Sequence, residues 1–124
     1  MANRLIALRD LLLVHLPQHF TPGHEQEGPR PVVVVGLPGW LGKTRFDMLL
    51  VVPLTTQSGR WSGVNSKLYP HFLAGVGGLK HDSVALLEHL RGLDVSRVLR
   101  FLGTLTPAEY HPIGTGLKQI LELS

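Results

Sequence analysis

Four consecutive valines at residues 32–35 constrain the fold more than any other feature of this chain. β-branched side chains favour extended backbone, and an unbroken apolar run of this length predicts a strand that is buried on both faces. The apolar runs 11–16 (LLLVHL) and 48–54 (MLLVVPL) predict two further strands, and 98–102 predicts another. Pro53 lies near the end of its strand, where a missing N–H is tolerated.

Segment 84–93 has a periodicity that fits either a helix or a strand. We interpret it as a strand, because the segments around it are short β elements. Residues 55–63 (TTQSGRWSG) are interpreted as a loop or hairpin tip. The sequence 75–78 (GVGG) is too short for a dinucleotide-binding fingerprint and predicts a turn.

The clearest helix signal is TPAE at residues 106–109, a capping box with proline at the first helical position. Pro112, Gly114 and Gly116 disfavour a helix directly after it, so the firm helix is expected only over 117–123. The 14 glycines and 9 prolines are scattered, which indicates frequent turns. We therefore predict one domain, residues 1–124, with a mainly β fold: a small barrel of short strands followed by a C-terminal helix.

Composition removes several kinds of chemistry. The chain has no cysteine, which excludes disulfides, thiolate nucleophiles and cysteine zinc sites. It has no His-Glu-x-x-His, Gly-x-Ser-x-Gly or Walker motif, so we expect no metal site and no cofactor. A formal net charge of +3 favours a polyanionic partner over an acidic-surface binder.

No segment is suited to the membrane. The uncharged run 31–42 is shorter than the roughly 20 residues of a spanning helix and contains glycine and proline. Arg9 and Asp10 interrupt the N-terminal apolar stretch, which argues against a signal peptide. We expect a soluble, cytoplasmic protein.

Two polar segments adjoin the predicted strands, and their residues carry a family resemblance. GHEQEGPRPVVVV, from residue 23, resembles the Gly-x-Glu-Gln-x-Gly-x-Arg-Pro signature of the MazF/PemK family of bacterial toxins, the mRNA interferases. VVPLTTQSG, from residue 51, is similar to the family's second motif. The block 82–109 resembles the family's lead into its last helix. The resemblance runs from about residue 10 to residue 123.

The resemblance implies a small SH3-like β barrel of the MazF/PemK/CcdB type, a homodimer, and a metal-independent endoribonuclease that cuts single-stranded RNA by 2′-OH attack. It implies catalytic roles for Arg30, Thr55 and Glu25. A guanidinium can hold two phosphate oxygens and stays charged, and a hydroxyl can hold an oxygen of the reacting group. Glu25 could orient Arg30 or accept the 2′-OH proton. His24 is the alternative base, because imidazole titrates near neutral pH.

The candidate RNA-binding residues are His24, Gln26, Thr56, Gln57, Arg60 and Trp61, of which Arg60 could contact a phosphate and Trp61 an unpaired base. For Trp61 and Trp40, base stacking and a core position remain alternatives. The resemblance also implies a cognate MazE-like antitoxin with an acidic, disordered tail.

Two other functions remain open. One is a CcdB-like toxin that binds gyrase, which in those relatives depends on a C-terminal Trp-Gly-Ile that this chain lacks. The other is a non-catalytic SH3-like module that binds RNA or protein.

Overall fold

The structure, a computed structural model, describes residues 5–17 and 28–123. Short 3-10 turns link several of the elements. The strands are β1 (Asp10–Leu16), β2 (Gly28–Gly36), β3 (Met48–Thr55), β4 (His71–Phe72), β5 (Ser83–Ala85), β6 (Arg91–Asp94) and β7 (Val98–Thr104), and the helices are α1 (Arg60–Val64) and α2 (Pro107–Ile120).

The strands form one antiparallel sheet with the order β4-β5-β3-β2-β1-β7. β6 is off this path: it pairs with residues 48–51 of β3, whereas β5 pairs with residues 54–55 of β3. The sheet curls into a half-barrel with the C-terminal helix against it, which confirms the predicted mainly β fold. The strands predicted at 11–16, 32–35, 48–54 and 98–102 all lie within observed strands. None of the helices in the described part of the chain is long and apolar enough to cross a membrane.

The valine run is buried on both faces, as predicted. Val32, Val33 and Val34 have no exposed surface. Val33 belongs to a core cluster that includes residues of α2, whereas Val32 and Val34 belong to a second cluster with β1, β3 and β6. Because successive side chains of a strand point to opposite faces, β2 lies between two hydrophobic cores. The strand ends that emerge from these cores are therefore firmly held.

The expected restriction of the last helix to 117–123 is wrong. α2 runs without a break from Pro107 to Ile120, and Thr106 and Glu109 form the predicted capping box, with reciprocal side-chain to backbone hydrogen bonds of 3.1 and 2.8 Å. Gly116 is buried, and a Cβ there would lie 2.3 Å from a Leu87 methyl carbon. Close packing on the core stabilises a helix that local propensity disfavours.

Two loop and strand assignments also need correction. Segment 84–93 is not one strand: β5 and β6 are separated by a 3-10 turn at Leu87–His89. Leu87 lies in this turn and is fully buried, so the turn itself contributes a side chain to the core. Within 55–63, residues 56–59 form a loop, as predicted, but α1 begins at Arg60, so the segment is not a hairpin tip. The glycine-rich 75–78 segment is a turn, as predicted.

Candidate active site

Arg30 and Thr55 meet across neighbouring antiparallel strands. Arg30 is the third residue of β2, and Thr55 is the last residue of β3. The two strands pair with Val32 opposite Pro53, and continuing that register by two residues sets Arg30 opposite Thr55. Residues opposite each other in an antiparallel pair share a face of the sheet. Both residues line the same cavity of about 100 Å³.

The guanidinium of Arg30 is carried on a rigid support. Pro29 and Pro31 flank Arg30, and the strand position of Arg30 is fixed on its other side by pairing with Val14 of β1. Val14 is fully buried. Arg30 itself is exposed, and its Nη1 donates a hydrogen bond of 3.3 Å to the carbonyl oxygen of Pro29. A charged side chain thus lies at the solvent edge of a buried strand.

The hydroxyl of Thr55 has a defined direction. Thr55 is 9% exposed, and its Oγ1 accepts a hydrogen bond of 3.1 Å from the backbone N–H of Gln57. A hydroxyl has one proton to donate as well as its lone pairs. In the hydrogen bonds among the described residues the Thr55 hydroxyl acts only as an acceptor, so its proton can be donated to a group in the adjoining cavities.

The small cavity adjoins two others through shared residues. Thr55 and Gln57 also line a cavity of about 310 Å³, and Thr56 and Ser83 also line one of about 210 Å³. We call these three adjoining cavities the trough. The 310 Å³ cavity adds Trp61, Tyr69, Leu86, Glu88 and His89, and the 210 Å³ cavity adds Ser58, His71, Phe72, Leu73, Asp82 and Val84.

Two aromatic rings form a wall of the 310 Å³ cavity. Trp61 and Tyr69 are in edge-to-face contact, with ring centroids 4.8 Å apart and planes at 88°. Trp61 keeps 42% of its surface exposed. The helix turn that carries Trp61 is anchored by the buried Ser62, whose Oγ accepts a hydrogen bond from the N–H of Gly59 and donates one to its carbonyl oxygen.

A polar group lies beside these rings. The Tyr69 hydroxyl donates a hydrogen bond to Oε2 of Glu88. This hydrogen bond, with some burial and the carboxylate charge, raises the pKa of Tyr69 to about 12. Oε1 of the same carboxylate lies 3.8 Å from Nε2 of His89. The Tyr69 hydroxyl thus orients the Glu88 carboxylate.

The trough brings together five of the predicted site residues: Arg30, Thr55, Thr56, Gln57 and Trp61. Arg60 lies exposed at the start of α1 and is not among the described residues that line the trough. His24, Glu25 and Gln26 lie outside the described residues.

Sequence reasoning missed Tyr69, His71, Glu88 and His89, which also line the trough. Tyr69 and Glu88 are 19 residues apart, and no local pattern joins them. The trough is not uniformly basic, since the described lining includes Asp82 and Glu88 as well as Arg30.

Trp40 is separate from the trough. It is 77% exposed, so a core position is excluded, and it lines a different cavity of about 580 Å³ together with Met48 and Val98. The described residues contain no group of three or more His, Asp or Glu side chains that could hold a metal ion.

A profile of the PemK-like, MazF-like toxin of type II toxin-antitoxin systems matches residues 9–121. The chain belongs to this family. A comparison with curated protein sequences finds no match.

Solved structures of family members share the fold. MazF from Deinococcus radiodurans superposes with a TM-score of 0.72 at 21% identity, covering 97% of this chain and 99% of that one. The Mycobacterium tuberculosis toxin MazF-mt6 gives 0.68 at 16% identity, covering 94% and 99%. An endoribonuclease in complex with its cognate antitoxin from a mycobacterial species gives 0.69 at 18% identity, covering 97% and 98%.

Proposed function

We propose that this toxin is an endoribonuclease that cuts single-stranded RNA within the trough by attack of a ribose 2′-OH on the adjacent phosphate. The observation that carries the proposal is the meeting of Arg30 and Thr55 at the ends of two paired strands, in one cavity. A solved relative described as an endoribonuclease supports it.

The reaction forms a bond from the 2′ oxygen to phosphorus and breaks the bond from phosphorus to the 5′ oxygen. It leaves a 2′,3′-cyclic phosphate and a 5′-hydroxyl. Negative charge builds up on the non-bridging oxygens as five-coordinate phosphorus forms, and donors placed beforehand at those oxygens lower the barrier. Arg30 provides a planar, permanently charged donor pair for two of them. The Thr55 hydroxyl donates to a third oxygen of the reacting group.

Two proton transfers complete the reaction. A base takes the 2′-OH proton, and an acid gives a proton to the leaving 5′ oxygen. Arg30 is a poor base because guanidinium does not release its proton at working pH. We assign the base to the segment that precedes Arg30, either Glu25 or His24. Glu25→Gln and His24→Gln separate the two, since only loss of the base removes the acidic limb of the pH–rate profile.

No step of this scheme needs a metal, because Arg30 supplies the positive charge that a metal would otherwise provide. We accordingly propose a metal-independent enzyme with no cofactor.

A homodimer and an antitoxin complete the proposal. A single chain of 124 residues offers a short trough, and pairing two copies would lengthen the path for RNA.

Solved relatives include MazE–MazF complexes from Deinococcus radiodurans. We propose a MazE-like antitoxin whose disordered tail occupies the trough and excludes RNA. Because the trough carries both signs of charge, such a tail needs apolar anchors as well as acidic residues.

The test is incubation of the purified protein with RNA of mixed sequence in the presence of EDTA, followed by gel electrophoresis. Discrete fragments with the wild type, and none with Arg30→Ala, support an RNA-cutting toxin. Intact RNA with retarded mobility would instead indicate a binding module. Intact RNA without retardation would contradict both RNA functions, and a gyrase-inhibition assay would then test the remaining alternative.

A further inference from the structure

The 310 Å³ cavity beside Thr55 has the composition of a site for one flat, polar-edged ligand. Its size is at the lower end of the range for small-molecule sites. Trp61 and Tyr69 provide ring surface, and Leu86 adds apolar surface. Glu88 and Gln57 provide side-chain groups that can form hydrogen bonds with the edge of a base. Proteins that recognise unpaired bases combine aromatic stacking with hydrogen bonds to the Watson–Crick edge.

We propose that this cavity binds one unpaired nucleobase, and that Glu88 makes it prefer guanine. This inference rests on the proposed function for its location, since Thr55 lines both this cavity and the one that holds Arg30. A base held here would lie next to the phosphate that is cut. The cavity is therefore a specificity site, whereas Arg30 and Thr55 perform the reaction.

The preference for guanine follows from the chemistry of the carboxylate. An ionised carboxylate only accepts hydrogen bonds, and it has about four lone-pair sites on its two oxygens. Tyr69 uses one of these sites, so acceptor capacity remains on both oxygens of Glu88. Guanine presents two adjacent donors, N1–H and the N2 amino group, which match two carboxylate oxygens. Cytosine and adenine present one amino group beside a ring-nitrogen acceptor, and uracil presents a single N3–H between two carbonyl oxygens that a carboxylate repels.

Tyr69 acts as a positioning residue. Its hydroxyl holds Oε2 of Glu88, and its ring is in edge-to-face contact with Trp61. A phenol is protonated at neutral pH in any case, and the hydrogen bond raises the pKa of Tyr69 further, to about 12. The Tyr69 hydroxyl is therefore a donor that holds Oε2 of Glu88 in place. Loss of the hydroxyl should weaken discrimination between bases more than it weakens overall affinity.

Trp61 is a built-in reporter for the test. The chain has two tryptophans, and Trp40 lies in a different cavity, so Trp40→Phe leaves Trp61 as the only tryptophan. In that background, four single-stranded 2′-deoxy hexamers are titrated: all uracil, or uracil with one central guanine, cytosine or adenine. They cannot be cut by the proposed reaction because they lack the 2′-OH. The measured quantity is the dissociation constant from Trp61 fluorescence.

We expect the guanine hexamer to bind about tenfold more tightly than the all-uracil hexamer. Glu88→Gln keeps the shape of the side chain and an acceptor for Tyr69, but it replaces one acceptor oxygen with an amino donor. This variant should reduce the ratio of the affinities for the guanine and all-uracil hexamers to within about threefold. Tyr69→Phe should reduce it as well, while Arg100→Gln, at an exposed position on β7 outside the trough, should leave it unchanged. Equal binding of all four hexamers, no quenching at millimolar concentration, or an unchanged ratio in Glu88→Gln would overturn the proposal.

The base preference and the reaction can fail independently. Guanine-selective binding without any RNA cleavage would uphold the base site and contradict the proposed reaction. Cleavage by the wild type without guanine preference near the cut, together with unselective binding, would uphold the reaction and contradict the base site.

Discussion

The backbone N–H of Gln57 donates a hydrogen bond of 3.1 Å to Oγ1 of Thr55, which orients a hydroxyl that is otherwise almost buried. A valine has nearly the same shape as threonine but cannot donate a proton. We expect Thr55→Val to reduce kcat/KM for RNA by about a hundredfold or more, the typical cost of losing one donor to a developing oxyanion. Thr55→Ser should retain most of the activity. Equal activity of the valine and serine variants would contradict the role of the hydroxyl.

The role of Arg30 depends on the geometry of its guanidinium as well as on its charge. Arg30→Lys keeps the charge but cannot make two parallel hydrogen bonds to one phosphate. We expect both Arg30→Lys and Arg30→Ala to lose about a hundredfold or more in kcat/KM, with an unchanged melting temperature because the side chain is exposed. Arg100→Lys is the matched control: Arg100 is exposed on β7 and should tolerate the change. A fully active Arg30→Lys would show that charge alone suffices.

The two glycines in the middle of α2 should respond oppositely to alanine. At Gly116, a Cβ would lie 2.3 Å from Cδ1 of the buried Leu87 and 3.1 Å from the carbonyl oxygen of Lys67. Gly116→Ala should therefore lower the free energy of unfolding by about 1–3 kcal/mol, despite the better helix propensity of alanine. Gly114→Ala meets only the Tyr110 ring at 3.2 Å and should be neutral or stabilising. Chemical denaturation of both variants measures the difference, and a stabilised Gly116→Ala would refute the close packing.

The titration of Tyr69 reports on Glu88. The pKa of Tyr69 is raised from 10.0 to about 12, first by the hydrogen bond to Glu88. The folded protein thus favours the neutral phenol, so this contact stabilises the fold fully below pH 10 and loses its contribution as the pH rises through about 12. Glu88→Gln removes the charge and should move the pKa of Tyr69 back toward 10.0. Tyrosine ring resonances followed by NMR against pH measure this, with Tyr110 as the second tyrosine.

An unchanged Tyr69 titration in Glu88→Ala, which removes both the hydrogen-bond acceptor and the charge, would contradict the contact. The Tyr110 pKa is also raised, mainly by burial, and that shift should be the same in both proteins.

Local signals were sufficient for much of the fold. The four valines predicted a strand buried on both faces, and the capping box predicted the start of α2 at Pro107. Both depend on neighbouring residues only, and both are confirmed. The motif resemblance likewise identified the family, and it pointed to Arg30 and Thr55 before their pairing was known.

The remaining features depend on contacts between distant residues. The continuity of α2 comes from the packing of Gly116 on Leu87, which outweighs the helix-breaking tendency of its glycines and proline. The turn between β5 and β6 contributes the buried Leu87 to the core. The wall of the trough is formed by Tyr69 and Glu88, which meet only through the fold. Sequence periodicity contains none of these relationships.

The ends of the cut RNA test the central claim most directly. An RNA of mixed sequence is incubated with the protein in EDTA, the main cleavage site is mapped, and a second RNA is made with a single 2′-deoxy substitution 5′ of that site. The account predicts 2′,3′-cyclic phosphate and 5′-hydroxyl ends in EDTA, and no cleavage at the substituted position. Cleavage that needs added Mg²⁺ or Zn²⁺, 5′-phosphate ends, or normal cutting next to the 2′-deoxy sugar would contradict it.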